Sequence, residues 1–100
     1  MASYRLSTRA DADILEVVVY TVRRFGVEQG RRYHDGLKRA FQALAEHPTR
    51  GRGAAELAPN LRRWKYESHI VFYVAEPQGI LIVRVLHQAM DIRRHPMNDG

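Results

Sequence analysis

Six side chains in the second half of the chain could do chemistry: Arg62, Arg63, Lys65 and Arg84, with His69 and His87. Arginine presents a planar fork that grips a phosphate or carboxylate through two parallel hydrogen bonds, and lysine adds a compact point charge. Such a set would hold an anion, either nucleic-acid phosphate or an acidic protein surface. Arg63 and Lys65 are equally well accounted for as solvated ends of a surface strand. Arg84 interrupts the apolar face expected to carry Ile80, Ile82 and Leu86, so its guanidinium must reach an acid, a ligand or the sheet edge. A structural ion pair with Glu67, Glu76 or Asp91 weighs as much as contact with a target. His87 could exchange a proton near neutral pH, although a strand-end histidine more often anchors a loop. Trp64 and Tyr73 could stack on bases, but aromatics on a small sheet more often fill the core.

Other chemistries lack their parts. Gly51 and Gly53 have neither the lysine nor the flanking strand of a phosphate loop. The histidines at 34, 47, 69, 87 and 95 include no i, i+4 pair, and there is no cysteine to complete a metal set or form a disulfide. Ser68 and His69 are chain neighbours whose side chains should diverge, unlike a serine and its base. No metal, nucleotide or redox cofactor is expected.

The net charge is +5, and its distribution says more than its size. Between Arg50 and Tyr66 five bases face the single acid Glu56, whereas residues 1–49 carry 8 bases and 6 acids. The basic excess begins in a loop and enters the strands, which suits an acidic partner. At 100 residues, with 45% hydrophobic and 27% charged, the chain has the composition of one folded domain. The expected domain is 1–96, with 97–100 a disordered tail. No apolar run approaches the roughly 20 residues of a membrane span, and no export signal opens the chain, so the cytoplasm is the expected location.

The elements that must position these residues follow from spacing. Ser3 to Leu6 alternates as a short strand. Ser7 or Thr8 can cap a helix with Asp11 and Asp13 in its first turn, where exposed amides favour acids. Ile14, Val18, Val22 and Phe25 form its stripe, and Gly26 closes it. A second helix from Glu28 to about Glu46 carries Tyr33, Leu37, Phe41 and Leu44 on one face. Gly30 and Gly36 inside it cost about 1 kcal/mol each, less than burial of the four large side chains returns. Pro48 and the ThrArgGlyArgGly stretch act as flexible punctuation. Strands at 61–66, 69–75 and 80–87 then make an antiparallel meander with short turns, followed by a helical turn at 91–94. The fold class is α+β: N-terminal strand, helical hairpin, then a three-stranded meander packed on the helices.

In this order the chain resembles the ParE branch of the RelE/ParE superfamily of bacterial toxins. The matching stretches are TyrArgLeuSer at 4–7, PheGly at 25–26, TyrHisAspGlyLeu at 33–37, HisPro at 47–48 with Gly51 and Arg52, LeuArgArg at 61–63, HisIleValPheTyr at 69–73, and IleValArgValLeuHisGlnAlaMetAsp at 82–91. The resemblance implies the toxin of a type II toxin-antitoxin system that inhibits DNA gyrase without catalysis. A co-expressed ParD-like antitoxin would wrap it with a C-terminal segment and bind operator DNA through its own N-terminal part. Arg62, Arg63, Lys65, Arg84 and His87 would then bind the target, and Phe25 and Tyr33, on the helices, the antitoxin. Two alternatives remain: a RelE-type ribosome-dependent mRNA endoribonuclease using Arg62, Arg84 and His87, or an inert co-repressor. RelE-like cutters resemble one another in a C-terminal tyrosine or residue pair; the last tyrosine here is Tyr73, which favours gyrase.

Overall fold

The structure, a computed structural model, describes residues 2–97. Ser7 explains how the chain leaves its first strand and enters its first helix. Its backbone N–H continues the sheet to the Ile82 carbonyl (2.9 Å), while its Oγ accepts from Ala10 N (2.9 Å) and donates to the Val83 carbonyl (2.7 Å). One small buried residue thus ends β1 (Ser3–Leu6), caps α1 (Thr8–Phe25) and fastens both to the last strand. Gly26, at φ 97°, separates α1 from α2 (Val27–Glu46), a conformation that glycine adopts without steric cost.

Gly30 and Gly36 are buried, and each makes room for a neighbour: a Cβ at Gly30 would collide with Val22 of α1, and one at Gly36 with the Tyr66 hydroxyl. Their helix-propensity cost is therefore offset by close packing. A 3-10 turn at Pro48–Arg50 leads into β2 (Arg52–Gly53), followed by β3 (Leu61–Tyr66), β4 (His69–Glu76), β5 (Gly79–His87) and a second 3-10 turn at Ile92–Arg94.

The expected meander of β3, β4 and β5 is present, extended at both sides into a five-stranded mixed sheet ordered β1-β5-β4-β3-β2. β1 joins β5 in parallel register, Tyr4 opposite Ile80 and Leu6 opposite Ile82. β2 occupies part of the opposite edge, Arg52 opposite Arg63 and Gly53 opposite Arg62. The helices cover one face, over a core that includes Leu37, Phe41, Leu44, Val71, Tyr73 and Ile82. The other face holds a smaller cluster of Ala54, Leu61, Ile70, Phe72, Val83 and Leu86. Met97, assigned to the tail, packs against that cluster. Residues 98–100, assigned to the tail, lie outside the described residues.

A bulge changes the expected facing of β5. Phe72 pairs with Arg84 but Tyr73 pairs with Ile82, which leaves Val83 as an extra residue. Ile80, Ile82 and Val85 consequently face the helices, whereas Val83 and Leu86 face away. Simple alternation, which put Leu86 beside Ile80 and Ile82, fails at this point.

Candidate functional site

The bulge brings Arg84 beside α1. Its Nε and Nη2 donate to the two carboxylate oxygens of Asp13 at 2.8 and 2.9 Å, and its Nη1 donates to the Pro96 carbonyl at 3.2 Å. Asp13 also accepts from Val85 N at 3.0 Å. The acid that neutralises Arg84 is thus Asp13, not Glu67, Glu76 or Asp91. Asp13 had a sufficient local explanation in the first helical turn, which concealed a partner 71 residues away. The carboxylate fork raises the Arg84 pKa further above its ordinary value, against the opposing effect of burial. This arginine is one of the least accessible cations on the sheet, at 7% exposure.

Arg62 is also turned inward. From the helix-facing side of β3 it donates to the Gly51 carbonyl at 2.6 Å and, at 3.4 Å, to that of Thr49. Tyr73 holds the same segment: its buried hydroxyl accepts from Gly51 N at 2.9 Å and donates to the Pro48 carbonyl at 2.7 Å. Burial raises the Tyr73 pKa, so the phenol stays protonated as this pairing requires.

What those two residues position is the cationic surface. Arg63 and Lys65 share the sheet face turned away from the helices, and Arg63 lies over the Phe72 ring at 5.5 Å. With Arg50 and Arg52 they line an open groove of about 390 Å³ that also includes Trp64 and Ile70. Arg50 and Arg52 belong to this site, although they were counted only as part of the basic stretch. The signal was the ArgGlyArg alternation at 50–52, hidden in what reads as flexible punctuation. None of these four cations forms an ion pair among the described residues.

The histidines sit elsewhere. His69 and His87 pair across β4 and β5 with ring centroids 5.2 Å apart, beside a cleft of about 430 Å³ that also includes Asp13, Glu16, Tyr20 and Met90. The His87 Nδ1 accepts from Ala89 N at 3.0 Å, the loop-anchoring role. The His69 Nδ1 lies 2.6 Å from the Tyr33 hydroxyl and 3.5 Å from Ser68 Oγ. The Ser68 and His69 side chains therefore converge, because Glu67 turns the chain at positive φ, 52°, just before them. Desolvation, reinforced by His87, lowers the His69 pKa to about 4, so this imidazole is neutral at pH 7. Burial raises the Tyr33 pKa, so its hydroxyl stays protonated beside the neutral imidazole.

The residues assigned to RNA cutting are therefore not gathered. Arg62 and Arg84 stand on β3 and β5 with β4 between them, each occupied by internal hydrogen bonds. Of the two assigned to the antitoxin, Phe25 is 64% exposed at the helical corner, whereas Tyr33 is half-buried and committed to His69.

Comparison with known proteins matches this architecture. A family model described as "ParE toxin of type II toxin-antitoxin system, parDE" matches residues 4–92. Toxin ParE1 of Caulobacter vibrioides is 41% identical over 95% of this chain and 98% of its own length. Toxin ParE1 of Mycobacterium tuberculosis is 38% identical over 92% and 95%, and Toxin ParE of Escherichia coli 34% identical over 92% and 90%. A solved structure described as the chromosomal ParDE TA system from P. aeruginosa shares the fold, with a TM-score of 0.73 at 19% identity over 87% of this chain and 96% of that one. The strand, helical hairpin and meander, ending in the ArgValLeuHis strand, are those of a known group: the chain belongs to the ParE toxin family of type II toxin-antitoxin systems.

Proposed function

We propose that this toxin inhibits DNA gyrase by binding, without a chemical step of its own, and that a ParD-like antitoxin neutralises it. Membership in the ParE family implies the antitoxin; gyrase as the target is supported by the site. The observation that carries the reading is the contrast between its cations. Lys65, Arg50 and Arg52 stand exposed and Arg63 half-buried beside them, with no acid among the described residues to neutralise them, which suits a surface made for contact. Arg62 on β3 and Arg84 and His87 on β5, the set an RNA cutter would use, are each held by internal hydrogen bonds, with β4 between the two strands. In this reading Arg63 and Lys65 meet the target, while Arg62 holds the 49–51 segment beside them and Arg84 ties β5 to α1 and Pro96.

The antitoxin occupies the outer face of the helical hairpin, where Leu15, Val19, Tyr20, Phe25 and Val27 are exposed apolar side chains on adjoining turns. A contiguous apolar surface of this kind suits an added amphipathic segment. Phe25 contributes directly, and Tyr33 through the packing of α2. Operator DNA is reached only through the antitoxin.

Supercoiling by purified gyrase, titrated with antitoxin-free toxin and then with antitoxin restored, tests the whole reading. Inhibition or trapped cleaved DNA that antitoxin reverses is the expected result. Full gyrase activity in the presence of folded toxin overturns it, and harmless overexpression of soluble toxin without antitoxin points instead to a co-repressor.

A further inference from the structure

Arg52 and Arg63 face each other across the β2–β3 ladder, and Lys65 follows Arg63 on the same face. Residues directly opposite on neighbouring strands lie about 5 Å apart, so two like charges there repel, and Lys65 adds a third within roughly 7 Å. Arg50 enters the groove from the adjoining turn. No acid among the described residues pairs with any of them. The segment that presents Arg50 and Arg52 is nevertheless tied down by Tyr73 and Arg62. Four cations held together without a counter-charge are arranged for an anion from outside.

The form of that anion follows from what else the groove lacks. A single-stranded nucleic acid is usually held by aromatic rings on which its bases stack. Here Tyr73 is wholly buried and Phe72 is buried beneath Arg63, which leaves the groove one ring, the half-buried Trp64 packed against the helix-side core, too few to stack successive bases. An acidic peptide adding as a strand would need the open edge of the sheet. At Arg62 and Arg63 that edge is occupied by β2, and the cations stand on the face instead. A DNA duplex carries one charge per roughly 1.7 Å of its axis and needs neither rings nor a free edge.

We propose that the groove of Arg50, Arg52, Arg63 and Lys65 grips the phosphodiester backbone of double-stranded DNA without regard to sequence. In placing that duplex on gyrase the proposal rests on the reading above; the contact itself does not. The toxin then touches the DNA that gyrase holds, and binding is governed by counterion release.

The test is fluorescence anisotropy of full-length toxin with a labelled 20-base-pair duplex of arbitrary sequence, titrated across salt. Four neutralised phosphates give a slope of log K against log salt of about −3.6. The Arg52→Ala/Arg63→Ala double variant should reduce that slope by about two, while Arg31→Ala/Lys38→Ala, which removes the same charge from exposed positions on α2, leaves it unchanged. If the first pair fails to fold, Lys65→Ala alone should reduce the slope by about one. Absence of duplex binding at 50 mM salt overturns the proposal, as does a slope insensitive to these substitutions. Tighter binding to a single strand of equal length also overturns it, and displacement of the duplex by polyglutamate at equal charge turns the site over to an acidic protein. Gyrase supercoiling with the same proteins separates the two ideas. Duplex binding without gyrase inhibition removes the gyrase reading and keeps the contact, whereas unaltered inhibition by a variant that no longer binds DNA removes the contact from the mechanism.

Discussion

Arg84 and Arg52 are both arginines on the same sheet, yet they have opposite environments. Arg84 lies at the inner strand β5, closed off from solvent, with both arms of its fork on one carboxylate. Arg52 lies at the far edge, exposed and opposite another cation. The first charge is spent inside the fold, joining α1, β5 and the segment at Pro96; the second is left available to a partner. Residue type and strand assignment are therefore poor guides to use. What separates structural from functional charge here is whether the chain itself supplies the counter-ion.

The difference breaks most visibly at Asp13. Asp13→Ala leaves a buried guanidinium without its partner and orphans Val85 N, which should cost about 3 to 5 kcal/mol. In a domain of this size that lowers the melting temperature on the order of 15 °C or more. Calorimetry checks it, and a fall of only a few degrees would mean that the pair is dispensable and Arg84 free for the target. Arg84→Met, which replaces the ion pair by apolar bulk but strands the Asp13 carboxylate, should also destabilise and should lower toxicity only in proportion to the folded fraction.

Next in size is the pH dependence at His69, in the cleft beside Arg84. An unfolded histidine titrates near pH 6.5, whereas the folded His69 titrates near 4. Between those values the unfolded chain binds a proton that the fold refuses. The stabilisation is complete above about pH 6.5 and is lost as pH falls toward 4, by at most about 3 kcal/mol. Urea melts at pH 7 and pH 4.5 should show a steeper loss for the wild type than for His69→Gln; parallel losses would place the proton elsewhere.

The sequence made the scaffold legible and the wiring only in part. Stripes at Ile14, Val18 and Val22 and at Tyr33, Leu37, Phe41 and Leu44 repeat at helical spacing, so both helices were visible, as was the Ser7 or Thr8 cap. The bulge at Val83 was not, because Ile80 to Val83 are apolar on both faces and give no sign of where the alternation slips. Asp13 was assigned locally for the same reason that Gly30 and Gly36 read as costs: the local rule is in the sequence, while the partners, Arg84, Val22 and Tyr66, are set by the tertiary fold. β2 was missed because two residues cannot show a period. Arg63 and Lys65, by contrast, share one face as simple alternation requires, since β3 pairs with β4 without a bulge.

A smaller effect should come from Tyr73, the link between core and groove. Tyr73→Phe keeps the ring but leaves Gly51 N and the Pro48 carbonyl unpaired, costing roughly 1 to 2 kcal/mol. The loss should be local as well as global. Hydrogen exchange at the Gly51 amide should accelerate more than at Val71 in the same variant, because the 48–53 segment loses its hydroxyl anchor while Arg62 still holds the Gly51 carbonyl. Equal acceleration at both amides would show that the segment opens only with the whole fold.

The smallest effect on stability, and the sharpest on function, belongs to Lys65. It is exposed and makes no ion pair among the described residues, so Lys65→Ala should alter stability by less than about 0.5 kcal/mol. Relief of repulsion with Arg63 acts in the stabilising direction, opposite to the result for Asp13. If the groove is the working surface, toxicity in cells lacking antitoxin falls while the melting temperature holds. Toxicity at the wild-type level in this variant and in Arg63→Ala would leave the unneutralised cations without a use, and the contrast with Arg84 would then be one of solvent exposure alone.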